Sequence, residues 1–299
     1  MIGIVILNYN EWDMTIKCIN SIRKNCNLLY KVYVVDNNSP VRITKRIEKF
    51  FQSSKDVELI MNKFNKGYSA GNNVGIKKAL DDLCDYVLIS NNDVIFKRNS
   101  IENLYLFLKN HKEYGIVGPK VFLENGKFQE INMGCKMTMK GKYLYLLRKT
   151  PVKKISKSFV EKFNLNNINL DHSFDVYAVS GCCFMMSRFA TKKLFPFDEN
   201  TFLYEEENII GMKMEKLKLK TCYCVDSEII HLGGASTEKM SEFSYKCFIQ
   251  SEQYYCKNYL NASILQRFPL LFIRCCIYIK SYGFGCFINN YLMKERKNG

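Results

Sequence analysis

Three consecutive polar residues, Asn91, Asn92 and Asp93, interrupt an apolar stretch that runs from Tyr86 to Phe96. A short apolar run with polar flanks predicts a buried strand of an α/β sheet, and ligands of such sheets bind beyond the carboxyl ends of the strands. A carboxylate and two amides there could hold a hard divalent cation and a phosphate, since Mg²⁺ uses only one or two protein carboxylates. The alternative is a simple turn, because Asn and Asp are also common where strands end.

The first third of the chain alternates between predicted strands and helices, which indicates a parallel sheet with right-handed crossovers. Polar clusters end the first, second and fourth strands, and a Gly- and Asn-rich segment follows the third, so one edge of the sheet could hold a nucleotide. Neither GxGxxG nor GxxxxGK[ST] occurs, so the usual dinucleotide and P-loop fingerprints are missing. The strands are predicted at 2–7, 32–35, 57–61 and from 86, and the helices at 11–25, up to about 51 and up to about 83.

The second half is less regular. Residues 126–171 show no clear periodicity and many lysines, which indicates an insertion or a flap. Elsewhere we expect a helix at 101–109, a short strand at 115–119 that stops at its proline, and a strand, a Gly break and a second strand at 175–187. An amphipathic helix ending near 217 and a strand at 221–225 follow, and residues 229–237 close the body.

The character of the chain changes again near Met240. Residues 241–259 form a predicted helix rich in aromatic residues, and 265–292 are very apolar but contain three basic residues. A membrane-spanning helix needs about 20 mostly apolar residues, so we predict helices that lie on the domain or in a membrane interface. The alternative is a helix pair packed on the core or on a second subunit. In the interfacial case lipid phosphates would lie near Lys294, Arg296 and Lys297.

The composition is that of a folded protein with an anionic partner. Its 299 residues are 47% hydrophobic and 24% charged, which excludes a disordered chain and allows one large domain or a domain with an appendage. The 44 basic and 29 acidic residues give a net charge of +15. This charge suggests nucleotide phosphates, an anionic membrane surface or nucleic acid, although lysines spread over helix faces for solubility would also account for much of it.

The 13 cysteines show neither a zinc-binding spacing nor a disulfide framework, because no CxxC pair occurs. The apolar run after Met1 has no basic segment before it, so we do not interpret it as a signal peptide. Reduced thiols in a cytoplasmic protein are therefore expected.

Seven segments, taken together and in this order, resemble family 2 glycosyltransferases, in particular the rhamnosyltransferase-like branch of polysaccharide and O-antigen assembly. The resemblance covers roughly residues 1–237, with a gap in the middle. It implies a GT-A fold (an α/β, Rossmann-like and mostly parallel twisted sheet flanked by helices), a nucleotide-sugar donor, a divalent metal and inversion at the anomeric carbon. The segments are 4–10, 34–39, 65–75, 91–93, 180–181, 202–207 and 231–236.

The resemblance assigns most of the polar edge to the donor nucleotide. Asp36 matches the acid that accepts a hydrogen bond from the base, which would suit a uracil or thymine imide; alternatively it forms an Asx turn before Pro40. The Gly-rich segment would close over the ribose and diphosphate, where glycine permits close approach; alternatively it is a helix start capped by Ser69. The nucleotide-binding residues implied are Asn8, Tyr9, Asn10, Asp36, Asn65, Gly67, Asn73, Asn91 and Asn92.

The resemblance assigns the metal, Mn²⁺ or Mg²⁺, to Asp93 and His231. Asp93 takes the last position of a DxD-like motif, whose first acid is replaced here by Asn91, so one fewer charge would face the metal. His231 matches a histidine that completes the metal or diphosphate site, although a lone histidine is more often structural.

The catalytic position that the resemblance implies is Glu207, where the family pattern x-Glu-Asp usually has Asp. Either acid can act as a general base on the acceptor hydroxyl. The extra methylene moves the carboxylate outward, so Glu206 is a possible substitute. The alternative is an acidic first helical turn, which the helix dipole favours.

These interpretations predict an inverting transferase that moves a sugar from a UDP- or dTDP-sugar to a glycan or lipid-linked acceptor. It would be cytoplasmic, either free or peripheral on the inner face of the cell membrane, with no nucleic-acid partner and an open oligomeric state. The predicted domain is 1–237, with a nucleotide-binding half to about 97 and an acceptor-side half from about 98. Residues 238–299 would form a helical extension, for which a membrane-interfacial position is one of the alternatives.

Two other classes of function compete with this one. A Rossmann-type NAD enzyme fits the acid that ends the second strand, but the missing GxGxxG argues against it. A non-catalytic nucleotide-binding or membrane-binding basic protein fits the charge. The intact Asp93 and the acidic residues 205–207 argue against loss of activity.

Overall fold

One sheet forms the centre of the protein, and the computed structural model describes residues 1–129, 133–165, 168–233 and 240–288. Its strands are β1 (Ile2–Asn8), β2 (Tyr30–Asp36), β3 (Val57–Met61), β4 (Tyr86–Asn91), β5 (Val94–Phe96), β6 (Tyr114–Leu123), β7 (Phe174–Val176), β8 (Cys183–Ser187) and β9 (Lys220–His231).

The strand order is β3-β2-β1-β4-β8-β6-β9-β5, and β7 pairs with β9. Strands β1 to β4 pair with one another in parallel, and β6 and β9 are also parallel. Strand β8 runs antiparallel to both β4 and β6. Most paired residues therefore lie in parallel ladders, which confirms the predicted mostly parallel α/β sheet.

Helices cover both faces of this sheet, which is why its central strands are almost continuously apolar. One face packs against α1 and α4, and the other against α3, α7 and α8. The helices are α1 (Trp12–Asn25), α2 (Lys45–Ser53), α3 (Tyr68–Asp81), α4 (Ser100–Asn110), α5 (Met139–Leu147), α6 (Lys157–Asn164), α7 (Arg188–Leu194), α8 (Glu206–Leu217), α9 (Glu242–Asn258), α10 (Ile264–Tyr282) and α11 (Phe284–Phe287), with a 3₁₀ turn at Lys153–Ser156.

The second half of the sheet differs from the prediction at one place. Strand β6 continues through Pro119, which was wrongly expected to stop it, and the strand predicted at 221–225 continues to His231 as β9. Pro119 pairs with Cys224, but the next pair is Lys120 with Glu228. This irregularity explains both differences, because a bulge accommodates a proline that lacks an amide hydrogen.

The C-terminal helices α9 and α10 pack on the body of the protein. Tyr255 of α9 and Leu270 of α10 are buried in an apolar cluster with Ile209 and Met212 of α8. Packing on the core was one of the arrangements considered for this segment. The predicted boundary at 237 lies outside the described residues.

In the part of the chain that the structure describes, no helix has both the length and the apolar character that crossing a bilayer requires. Helix α10 comes nearest, but it contains Arg267, Arg274 and Lys280. The three basic residues Lys294, Arg296 and Lys297 lie outside the described ranges.

All 13 cysteines lie in the described ranges and none is in a disulfide, in agreement with the absence of a framework in the sequence. Burial raises the pKa of Cys18 and of Cys182 to about 12. Because the thiolate is the reactive form of cysteine, these buried thiols act as packing groups.

Candidate active site

The carboxyl ends of β1, β2 and β4 meet at one edge of the sheet, where Asn8 is the centre of a hydrogen-bonded network. Asn8 Nδ2 donates to Asp36 Oδ1 over 2.7 Å. Asn8 Oδ1 accepts from Thr15 Oγ1 at 2.8 Å and from Asn92 Nδ2 at 3.2 Å. Asn8 is fully buried. Its observed role is therefore to hold the ends of three strands together.

Asp36 holds the turn after β2 through two bonds to Ser39, three residues on, and not through the bond two residues on that defines the Asx turn considered as an alternative. Its Oδ2 accepts the backbone N–H of Ser39 at 3.0 Å, and its Oδ1 accepts the Ser39 hydroxyl at 2.5 Å. The carboxylate is buried. A carboxylate can accept about four hydrogen bonds, and the described residues supply three, so Oδ2 retains one acceptor position.

Tyr9 and Asn10 lie beside this turn. Tyr9 is 48% exposed and its ring lies at the surface. Asn10 has a φ of +68°, and its backbone N–H donates to Ser39 Oγ over 2.7 Å. Ser39 therefore joins the turn after β1 to the turn after β2, a role that the sequence did not reveal.

The loop after β3 contacts the segment that carries the acidic residues. Gly67 has a φ of +91°, and a Cβ at this position would collide with the Phe202 carbonyl oxygen. The Tyr68 N–H donates to that same oxygen over 2.9 Å. Asn65 Oδ1 accepts from the Gly67 N–H at 3.0 Å and from Asn37 Nδ2 at 2.8 Å. Glycine is therefore required here by both conformation and close packing.

Asn73 is buried and makes its hydrogen bonds to the same segment. Its side chain donates to the Phe197 carbonyl at 3.0 Å and to Glu199 Oε1 at 2.8 Å, and it accepts the Phe197 N–H at 2.8 Å. The amide is thus committed to joining α3 to residues 197–199. The structure does not bring it into the network around Asp36.

Asn91 and Asn92 differ in how they are engaged. The Asn92 amide donates to Asn8 Oδ1, to the Glu11 carbonyl and to Thr15 Oγ1, each at 3.2 Å. The Asn91 side chain makes no hydrogen bond with any described residue, and only its backbone participates in the sheet. Asn91 is therefore the amide with its full hydrogen-bonding capacity available at this edge.

Asp93 and His231 are brought together because β5 pairs antiparallel with β9, with Val94 opposite His231. Asp93 Oδ2 accepts the Gly233 N–H at 3.1 Å. Asp93 Oδ1 lies 3.3 Å from His231 Nε2. This is an ion-pair distance without hydrogen-bond alignment, so among the described residues Oδ1 is a buried acceptor with no hydrogen-bond donor. His231 Nδ1 lies 3.2 Å from Gln129 Oε1, a neighbour that the sequence did not predict.

An unsatisfied carboxylate oxygen beside an imidazole nitrogen fits a divalent cation. Within the described ranges no group of three or more His, Cys, Asp or Glu side chains could hold a metal ion. The pair therefore fits a cation that takes its remaining ligands from water and phosphate, as Mg²⁺ commonly does.

Glu207 lies against the start of β8, next to β4. The turn before α8 has two successive left-handed residues, Tyr204 and Glu205, with φ values of +75° and +71°. Glu207 Oε1 accepts the Gly181 N–H at 3.1 Å, and the Tyr68 hydroxyl donates to the Gly181 carbonyl at 2.5 Å. The Asn91 N–H, at the end of β4, donates to the Cys182 carbonyl over 2.8 Å. Glu207, which is bonded to the neighbouring Gly181, therefore lies close to the end of β4, and Asp93 follows that end directly.

The two acidic residues at the start of α8 have perturbed acidities. Burial raises the pKa of Glu207, and backbone hydrogen bonds, among them that of Gly181, oppose the shift. Burial, and then the charge of Glu207, raise the pKa of Glu206 well above its usual value. Glu206 Oε1 is buried with no hydrogen-bond partner in the described chain. Both carboxyl groups therefore have raised pKa values, and the charge of Glu207 adds to the effect of burial on Glu206.

Replacing Glu206 with Gln should stabilise the fold at alkaline pH. Since the folded-state pKa of Glu206 is raised, the folded protein binds more protons than the unfolded chain above the ordinary value of 4.5, so its stability falls as pH rises through that window. Gln avoids this loss, and a gain of the order of 1 kcal/mol is expected. The free energy of unfolding in urea should be measured for the parent and the variant at about pH 4 and about pH 8. The gain in stability of Glu206→Gln should be absent at the lower pH. An equal gain at the two pH values would contradict the explanation.

Glu205 belongs to a buried network of four charges. Lys142 Nζ of α5 donates to Glu205 Oε1 and lies 3.7 Å from Glu252 Oε1 of α9. Arg274 of α10 binds Glu252 through two hydrogen bonds of 2.8 Å. Burial alone lowers the pKa of Lys142, but the charges of Glu205 and Glu252 outweigh it and raise the pKa. The network joins the insertion and both C-terminal helices to the residue that precedes Glu206.

The sequence of this chain is similar to those of known glycosyltransferases. A sequence model of glycosyl transferase family 2 matches residues 3–195. The low-salt glycan biosynthesis hexosyltransferase Agl10 of Haloferax volcanii is 25% identical over 232 residues, which are 76% of this chain and 66% of Agl10. The chain therefore spans just under two thirds of that relative.

Solved structures show the same fold. The crystal structure of GalNAc-T7 with UDP, GalNAc and Mn²⁺ has a TM-score of 0.60 and 14% sequence identity to this chain. The match covers 97% of this chain and 57% of the GalNAc-T7 chain. Residues 1–349 of TarS from S. aureus match over 94% of this chain and 80% of theirs, with a TM-score of 0.54 and 14% identity. The protein has the GT-A fold with C-terminal helices, and it belongs to glycosyl transferase family 2.

Proposed function

We propose that this protein is an inverting glycosyltransferase that moves a sugar from a UDP- or dTDP-sugar to a hydroxyl of a glycan or lipid-linked acceptor. One observation carries the proposal: the unsatisfied Asp93 Oδ1 beside His231 and the half-buried carboxylate of Glu207 lie at neighbouring strand ends. Membership of family 2 supports the reaction class. The hexosyltransferase relative supports a role in glycan synthesis.

The donor nucleotide would lie across the ends of β1, β2 and β4. Asp36 Oδ2 has an acceptor position left for an imide N–H of uracil or thymine. The exposed ring of Tyr9 can stack on the base. Asn91, whose side-chain amide makes no hydrogen bond with the described residues, can donate to the diphosphate. A rhamnose donor stays a prediction from the sequence.

Asp93 and His231 would hold Mn²⁺ or Mg²⁺ together with the diphosphate. The metal, when bound, neutralises the charge of the leaving nucleoside diphosphate as a Lewis acid. Asp93 is positioned for this by the Gly233 N–H, which fixes Oδ2 and leaves Oδ1 directed at His231.

Glu207 would act as the general base. The acceptor oxygen attacks the anomeric carbon as the bond to the diphosphate breaks, and the hydroxyl proton passes to Glu207. A single displacement of this kind inverts the configuration. Glu206 keeps its own proton, since the raised pKa of Glu206 disfavours a second negative charge.

Replacing Asp93 with Ala should abolish metal-dependent nucleotide binding. We would measure this binding by calorimetry and by thermal shift, since a ligand that binds only the folded state raises the apparent stability. The ligands are UDP, dTDP, GDP and NAD, each tested with Mn²⁺, Mg²⁺ or EDTA. We expect metal-dependent binding of UDP or dTDP, and an affinity about tenfold lower or worse in Asp93→Ala, which corresponds to about 1.4 kcal/mol.

Asp81→Ala is the matched control, because it removes only an exposed pair with Lys77 at the far end of α3. Failure to bind any nucleoside diphosphate would refute the proposed function while leaving the fold unaffected. Binding of NAD alone would favour the dehydrogenase hypothesis.

A further inference from the structure

Helix α10 has two faces of opposite character. Its inner face is held to the body by the buried Leu270 and by the bonds from Arg274 to Glu252. Its outer face carries large apolar side chains in contact with solvent, which we call the α10 stripe. The stripe consists of Leu265 (82% exposed), Phe268 (60%), Phe272 (61%), Ile273 (38%) and Ile277 (37%).

A basic segment, residues 148–157, joins α5 to α6. Its cations line an open pocket together with Ser156, Val160 and Glu161. Two apolar side chains, Val152 and Ile155, are exposed among these cations. The segment therefore alternates positive and apolar groups at the surface. The cations that line the pocket are Arg148, Lys153, Lys154 and Lys157.

The α10 stripe and the basic segment lie on neighbouring elements. The Tyr143 hydroxyl of α5 donates to the Gln266 carbonyl in the first turn of α10 over 2.6 Å. Leu146, at the end of α5, packs in the same cluster as Leu270. The basic segment begins directly after α5, so it starts close to the first turns of α10, where the stripe begins.

A contiguous exposed apolar surface in a folded domain marks an interaction site. Charge decides what the partner is. An amphipathic helix lies in a bilayer with its apolar side chains at the boundary of headgroups and acyl chains, and nearby lysines bind anionic headgroups. A second copy of this chain, which also carries +15, would repel the basic segment.

We propose that the α10 stripe and the basic segment together form a docking surface for an anionic lipid bilayer. The apolar side chains enter the interface, and the cations contact lipid phosphates. The proposal concerns where the protein binds, and it does not depend on the reaction that the protein catalyses.

Flotation of the full chain with vesicles tests it. We expect binding to vesicles of phosphatidylcholine with about one third phosphatidylglycerol, little binding to phosphatidylcholine alone, and weaker binding at high salt. The double variants Phe268→Gln/Phe272→Gln and Lys153→Gln/Lys154→Gln should each lower the partition coefficient about tenfold or more.

Matched controls change the same chemistry elsewhere. Leu29→Gln/Leu83→Gln alters two exposed apolar residues at the opposite edge of the sheet, and Lys24→Gln/Lys112→Gln removes two exposed cations. Both controls should bind vesicles as the parent does. Circular dichroism identifies any variant that does not fold.

Two results would overturn the proposal. One is failure of the vesicle-binding prediction: either the parent protein does not bind the anionic vesicles, or both test variants bind them as well as the parent does. The other is light scattering that shows a dimer without lipid and a monomer in Phe268→Gln/Phe272→Gln, which would assign the stripe to self-association.

Discussion

Replacing Glu207 with Gln should lower the rate of sugar transfer by a factor of about 10²–10⁴ while leaving nucleotide binding intact. The amide cannot accept a proton from the acceptor hydroxyl. It can still accept the hydrogen bond from the Gly181 N–H through its own oxygen, so the local structure should be kept. Transfer is measured as release of the nucleoside diphosphate, and binding by calorimetry.

The pH profile gives a second measurement of the same residue. Glu207 must be ionised to act as a base, so the rate should fall as pH is lowered through its pKa. Because burial raises the pKa of Glu207 above the usual 4.5, this loss should occur at a higher pH than an exposed glutamate would give. The residual activity of Glu207→Gln should not show this fall in rate at low pH, because the titrating carboxyl group has been removed.

Three variants separate the possible bases. Glu207→Asp should keep activity, because Asp is the usual acid at this position in the pattern that the chain resembles. Glu215→Gln is a control on the same helix, and it loses only an exposed pair with Lys136. A larger loss of transfer in Glu206→Gln than in Glu207→Gln would assign the base to Glu206 and contradict our assignment.

The first half of the fold could be predicted because local pattern determines it. Strand β3 was predicted at 57–61 and is found there, and the ends of β1 and β2 differ from prediction by no more than two residues. Strands β1 and β2 are largely buried, so their sequence is a short apolar run between polar flanks. Where pairing carries a bulge, as at Pro119, the sequence alone could not show it.

The residues of the candidate site could be proposed from their types, but their contacts with one another could not. Asn8 meets Asp36, and His231 meets Asp93, through the register of strands that are far apart in sequence. Register depends on the whole sheet. Ser39 and Gln129, which hold these residues, are ordinary polar residues in sequence, and no local signal distinguishes them.

Lys142 was the least predictable residue of importance. It lies in a segment without clear periodicity, where its neighbours in sequence are mostly exposed or half-buried. Lysine is almost never fully buried unless it is paired. Its partners come from the turn before α8 and from α9, so only the tertiary structure shows that its side chain is 7% exposed.

Replacing Lys142 with Met should destabilise the protein by about 3–5 kcal/mol, because removal of one partner leaves buried charges uncompensated. Glu205 would keep only the hydrogen bond from Asn208 at 3.0 Å, whereas Glu252 would keep Arg274. The midpoint of thermal unfolding should fall by roughly 10 °C. Lys140→Met is the matched control, since Lys140 lies on the same helix and is exposed.

A second substitution tests whether Glu205 is the cause. In the double variant Lys142→Met/Glu205→Gln the uncompensated charge is gone, so a large part of the stability should return, and the coupling free energy follows from the double-mutant cycle. Because Glu205 directly precedes the acidic residues of α8, Lys142→Met should also lower kcat more than it raises the KM for the donor. Equal stability of Lys142→Met and Lys140→Met would show that the network does not support the turn. A loss of stability without recovery in the double variant would place the cost at Glu252 instead, on the side of the C-terminal helices.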